Sequence, residues 1–145
     1  MKHLRSIAEA GPDALRRLLE RGATVRWFDH HHSGGDLPAH PRLRLAIDTS
    51  PQICSSALVD RAIGGRFRRW AVAAAYGDNL PALARELGTP GLAEHELLLL
   101  RELGDAINYN GYGPAIEDLH FDPKELYLRL YAAEGPLDFV RNSPD

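Results

Sequence analysis

At 145 residues the chain is long enough for one domain with a real core and short for two. Its 44% apolar and 26% charged content is that of an ordinary globular protein, and a net charge of -3 argues against attachment to nucleic acid by bulk charge alone. A single cysteine, Cys54, excludes an internal disulfide and a cysteine-rich zinc site, and no apolar run approaches the ~20 residues of a spanning helix, so a cytoplasmic protein without a membrane partner is the expectation.

The first element read from the pattern is a helix from Pro12 to Glu20. Leu15, Leu18 and Leu19 form its stripe and Gly22 stops it. Residues 1–11 are expected to be disordered or displaced. Ala23 to Phe28 is β-branched and aromatic and reads as a strand; Ser33 to Pro41 is a loop by composition; Leu43 to Ile47 alternates with period two and reads as a second, half-buried strand. A helix is expected from Ser50-Pro51 to Gly64-Gly65, followed by one from Phe67 to Tyr76. The latter is apolar almost all round, the mark of a buried helix. Leu80 to Leu87, Leu92 to Asn108 and Pro123 to Tyr131 are further helices, Asn108 to Pro114 is a turn, and Arg141 to Asp145 frays. The expected class is α/β, a partial parallel sheet flanked by helices with a mostly helical C-terminal half. It forms one domain with an α/β part over 12–79 and a helical part over 80–142. Two short strands leave sheet edges unpaired, which points to further strands or to a homodimer through the exposed edge.

Asp29-His30-His31 stands where the first strand ends, the edge at which ligands bind in open α/β sheets. Carboxylate and imidazole side chains in a row fit a divalent metal; the bland alternative is a solvated polar loop. Successive strand residues point to opposite sides, so all three reach one ion only if the chain turns, and one of them can instead hold a neighbour's ring. His32 reads as a bystander. Asp78, after an apolar helix and Gly77, is either a second acidic ligand or a helix-end loop residue. Asp48 reads as a cap for the helix after Pro51, with phosphate contact by Asp48-Thr49-Ser50 as the alternative. Arg61, Arg66, Arg68 and Arg69 are the one basic cluster, either a phosphate site or an exposed helix face. Asn108, Tyr109, Asn110 and Tyr112 read as a structural turn rather than a nucleotide contact. His3, His40, His95 and His120 lack partners at ligand spacing, and Cys54 reads as a small buried apolar residue. There is no nucleophile elbow and no phosphate-cradling glycine loop.

Trp27-Phe28-Asp29-His30-His31 resembles the motif that names the DHH phosphoesterase superfamily, which includes RecJ-type exonucleases, exopolyphosphatases and phosphodiesterases of short oligonucleotides and cyclic dinucleotides. Asp48 through Cys54-Ser55-Ser56 to Trp70-Ala71 and Gly77-Asp78-Asn79 is similar to the segment that follows in such proteins. Ile107 to Gly113 with Asp118 to Phe121 is similar to a bacterial subgroup. The resemblance implies a manganese-dependent (or magnesium-dependent) phosphoesterase with two ions about 3.5–4 Å apart. It places Asp29, His30 and Asp78 at the metal centre, with His31 either a further metal ligand or in contact with the phosphate, and Asp29 and His31 also catalytic. The implied substrate is a phosphorylated small molecule or short oligonucleotide. The chain departs from the family pattern before Asp29. The family's Asp-x-Asp strand and second acidic motif are missing, since residues 1–28 hold only Glu9, Asp13 and Glu20 as acids. The expectation is therefore an N-terminally truncated DHH domain that binds metal weakly and turns over poorly. Two rival readings are a non-catalytic remnant or binding module, and an acyltransferase, the latter resting only on labels that some relatives carry.

Overall fold

The computed structural model describes residues 13–32, 37–112 and 119–143. The chain is α-rich with one small parallel sheet, a mixed α/β composition as the patterning implied. It divides into two compact units, Met1–Pro51 and Gln52–Asp145. The division falls at Pro51 rather than near residue 79, so the two helices expected to accompany the strands belong with the helical unit. Expectations for residues 1–11, for Gly34 and Gly35, and for Gly113, Pro114 and Asp118 lie outside the described residues.

In the first unit, helix α1 spans 13–20 and ends in a hydrogen-bonded reversal. Gly22 N–H donates to Leu19 O at 3.0 Å and Ala23 N–H to Leu18 O at 3.0 Å. Gly22 takes φ +91°, a left-handed conformation that favours glycine at this position. Leu15 and Leu19 are buried; Leu18, expected on the same stripe, is exposed. Strand β1 (Val25–Asp29) pairs in parallel with β2 (Leu43–Ile47), in register Val25↔Leu43 through Asp29↔Ile47. Parallel pairing requires a crossover of about a dozen residues or more, which 30–42 supply. Val25 N–H to Arg42 O (2.8 Å) and Asp48 N–H to Asp29 O (3.1 Å) close the two ends of the ladder. The Arg42 guanidinium donates to Leu19 O at 2.9 Å and ties the end of α1 to the start of β2.

The second unit is built around α3 (Arg68–Gly77), which packs against α2 (Ser55–Ala62), α4 (Pro81–Gly88), α5 (Glu94–Asn110) and α7 (Pro136–Asn142). Its apolar sequence predicted burial, and Ala71, Val72, Ala73, Ala75 and Tyr76 are buried with Leu83, Leu97, Leu100 and Leu137 in one core. Small residues allow α3 and α5 to approach closely. A Cβ on Gly104 would lie 2.1 Å from Ala73 O, and one on Gly77 would lie 2.8 Å from Gly104 O. Proline at the first position starts α4, α6 (Pro123–Ala132) and α7, where its missing N–H costs nothing. Asp122 caps α6 by accepting from Lys124 and Glu125 N–H at 2.9 and 3.0 Å. Arg85 of α4 clasps Glu94 of α5 with bonds of 2.7 and 3.0 Å.

Three local expectations are corrected. The second-unit helix expected from Ser50 begins at Ser55, because Asp48 accepts the Ser50 N–H at 2.9 Å and turns the chain before it can coil. Asp48 therefore caps a turn and not a helix. Asn108, Tyr109 and Asn110, expected in a turn, are the last residues of α5. Asn110 is buried and its amide brackets Phe121, donating to Phe121 O at 3.0 Å and accepting Phe121 N–H at 2.9 Å. Asn110→Ala leaves that backbone pair without partners, and a loss of about 2 kcal/mol is expected. Faster amide exchange at Phe121 than at Leu100 in the variant checks it. Finally, the patterning gives no helix at Pro136–Asn142, where only the end from Arg141 is expected to fray, and α7 forms there. Asp138 inside it accepts the Glu134 N–H at 3.1 Å, and Leu137 anchors it in the core.

Candidate metal centre

Alternation along β1 puts Trp27 and Asp29 on one face and Arg26 and Phe28 on the other. Side-chain contacts follow that pattern. The Trp27 indole N–H reaches Asp29 Oδ2 at 3.4 Å, and the Arg26 guanidinium lies 5.3 Å over the Phe28 ring. After Asp29 the chain bends. His31 N–H donates to Asp29 Oδ1 at 3.0 Å, the aspartate-closed turn favoured where a strand gives way to a loop. This turn is what lets residues of opposite strand parity converge, the condition the sequence had set for a shared ion.

The turn also brings the His31 ring back, with Nδ1 3.0 Å from the same Oδ1. An ionised carboxylate only accepts, so Nδ1 is the donor here, and in the neutral ring it is Nε2 that keeps a lone pair. Asp29 thus orients His31, the part that acidic partners play behind metal-bound imidazoles. The His30 and His31 ring centroids are 3.9 Å apart. One potential ligand atom from each of Asp29, His30 and His31 falls within 4.8 Å of the others, the one such group among the described residues. Asp29 and His30 are half-buried, whereas the His31 side chain is 72% exposed, so the cluster opens to solvent.

The Asp29 carboxyl is held below its ordinary range, chiefly by the His31 backbone N–H. Partial burial opposes this, and the His31 ring and the Trp27 indole add to it. A depressed carboxyl keeps its charge through neutral pH. The stabilisation it gives the turn is present above the unfolded carboxyl value of about 4 and is lost as pH falls through the lower folded value.

Asp78 lies in the second unit as the residue that ends α3, its N–H donating to Ala74 O at 2.9 Å. Asn79 follows with φ +57°, an uncommon conformation for a residue with a side chain. Asp78 is exposed and borders a depression of about 320 Å³ with Ser56, Trp70 and Asn108. His32 is exposed and outside the triplet. The His40 ring accepts the Arg42 N–H at 3.1 Å, and His120 stacks on Tyr109 at 5.6 Å, so both have structural contacts. Cys54 is buried, which pushes its thiol up, as a small core residue should be.

Two contributors escaped the sequence reading. Trp27 touches the Asp29 carboxylate, and the two-residue spacing on a strand was the available signal. Asp60, buried on α2, pairs with Arg68 at 3.1 Å, and no local pattern announces an acid that meets its partner eight positions on. Comparison with protein-family models, curated proteins and solved structures finds no match to this chain.

Proposed function

We propose that the chain is a metal-dependent phosphoesterase of the DHH type, with Asp29, His30 and His31 as its metal-binding triplet. The observation that carries this reading is the gathering of one carboxylate and two imidazoles within 4.8 Å at the carboxyl end of a parallel strand. A mixed oxygen and nitrogen donor set suits manganese better than magnesium, which favours oxygen throughout. A bound ion would supply a water acidic enough to attack phosphorus near neutral pH. Asp29 keeps its charge there and holds the His31 ring through Nδ1, which leaves Nε2 of the neutral ring as a ligand or as an acceptor of the water's proton. Hydrolysis adds hydroxide to phosphorus and a proton to the departing oxygen. The substrate class is a phosphate ester, a phosphorylated small molecule or a short oligonucleotide.

A metal-binding module without hydrolysis is the second reading, favoured by the count of clustered ligands. Three side chains hold one ion, and a two-ion centre needs more. Bis-(p-nitrophenyl) phosphate with added manganese separates the two. Slow hydrolysis that disappears in His31→Ala supports the phosphoesterase. Saturable manganese binding with no hydrolysis supports the module, and absence of manganese binding contradicts both.

A further inference from the structure

The four arginines Arg61, Arg66, Arg68 and Arg69 are left unused by the metal-centre reading, and the stretch 61–69 contains no acid although the chain as a whole carries -3. Between α2 and α3, Gly64 and Gly65 take φ +69° and +76°, and this left-handed pair reverses the chain into the start of α3.

Arg68 is fixed from behind. Asp60, with its side chain 1% exposed, places Oδ2 at 3.1 and 3.2 Å from two nitrogens of the Arg68 guanidinium. The pair cancels a buried charge and holds the Arg68 fork in one place, while that side chain remains 45% exposed. The Arg66 guanidinium lies 5.2 Å over the Phe67 ring. No carboxylate among the described residues pairs with Arg66 or Arg69. Arg66, Arg68 and Arg69 line an open depression of about 330 Å³ in the helical unit together with Glu134, Gly135 and Pro136. Asp60 is committed to Arg68, so the lining carries two arginines without a carboxylate partner among the described residues against one acid, Glu134, and it favours an anion.

We propose that this depression binds a small anion carrying two linked phosphate groups, one for each unpaired guanidinium. The planar donor fork of arginine matches phosphate oxygens in pairs, and a carboxylate-anchored Arg68 needs no reordering to contribute. A volume of about 330 Å³ is at the small end for ligand sites, the size for a pyrophosphate group and its near neighbours rather than for a polymer. The site is independent of the metal-centre reading and needs no metal.

Isothermal titration of the full chain with inorganic pyrophosphate, in low salt with a chelator present, tests it. The expected result is one saturable site per chain that weakens as salt is raised. Arg66→Gln and Arg69→Gln should each weaken it roughly tenfold, and Arg61→Gln, outside the lining, should leave it within about twofold. Circular dichroism confirms that the variants are folded. A nucleoside diphosphate run alongside distinguishes carriers. Tighter binding assigns the site to the ester, its organic part against Phe67 or Trp70, and weaker binding assigns it to the free anion. No saturable binding, binding that requires manganese, or binding untouched in the Arg66→Gln/Arg69→Gln double variant overturns the proposal.

Discussion

Asp29→Ala is expected to remove saturable manganese binding, a loss of about a hundredfold or more, and His30→Ala to do the same. Asp29 carries two duties through one side chain. It offers a ligand oxygen, and its Oδ1 accepts both the backbone N–H and the ring Nδ1 of His31 at 3.0 Å. Alanine therefore deletes one ligand and releases another. Asp29→Asn separates the duties, because an amide oxygen still closes the turn while the charge is gone. It should bind more weakly than the parent and more tightly than the alanine variant. His32→Ala, outside the triplet, should match the parent. The Asp29 carboxyl is lowered, so its charge survives until pH falls below the ordinary carboxylate range. The Asp29 oxygen therefore stays available as a charged ligand through neutral and mildly acidic pH, and Asp29→Asn removes that charge at every pH. Titration calorimetry of the parent and the four variants reads all of this, and manganese affinity unchanged in both Asp29→Ala and His30→Ala would sink the assignment.

The largest expected effect on stability is Gly104→Ala, about 3 kcal/mol or more. The added carbon would sit 2.1 Å from Ala73 O and 2.9 Å from Gly77 N, both backbone atoms of α3. A flexible side chain could swing aside; the backbone of a central helix cannot without opening the α3–α5 contact. Because α3 packs against four other helices, that displacement reaches the whole core. The melting temperature should fall by roughly 10–20 °C. Gly91→Ala is the matched control, since a Cβ there meets nothing within 4 Å, and it should lie within about 0.5 kcal/mol of the parent. Thermal denaturation followed by circular dichroism distinguishes the two, and equal melting of both variants would contradict the close approach.

Much of this was legible in the residues because the relevant signals are local and periodic. An all-round apolar run gave the buried α3. Alternation at Leu43 to Ile47 gave β2, although Leu45 and Ile47 are exposed, since two strands cannot cover their own faces. Asp29 at the end of β1 followed from where the apolar run stops. What escaped depends on partners distant in sequence or on single hydrogen bonds. Asp48 closing a turn on Ser50 delayed α2 by several residues, and Asn110 continued α5 because its amide had Phe121 to bracket. Gly104 carries no periodic signature, as its necessity arises only where another helix passes. The Asp29-His30-His31 cluster illustrates the same boundary. Residue types named it, but parity along the strand counted against convergence until the turn from Asp29 to His31 resolved the conflict.

The central claim is that the Asp29-His30-His31 triplet holds a metal ion through imidazole and carboxylate. Pulsed electron paramagnetic resonance of the full chain with one equivalent of manganese tests it most directly. The account predicts modulation from imidazole nitrogen bound to the ion in the parent, and none in His30→Ala or in the His30→Ala/His31→Ala double variant, which no longer hold it. A manganese signal showing only water and oxygen ligands, identical in the parent and the double variant, would contradict it.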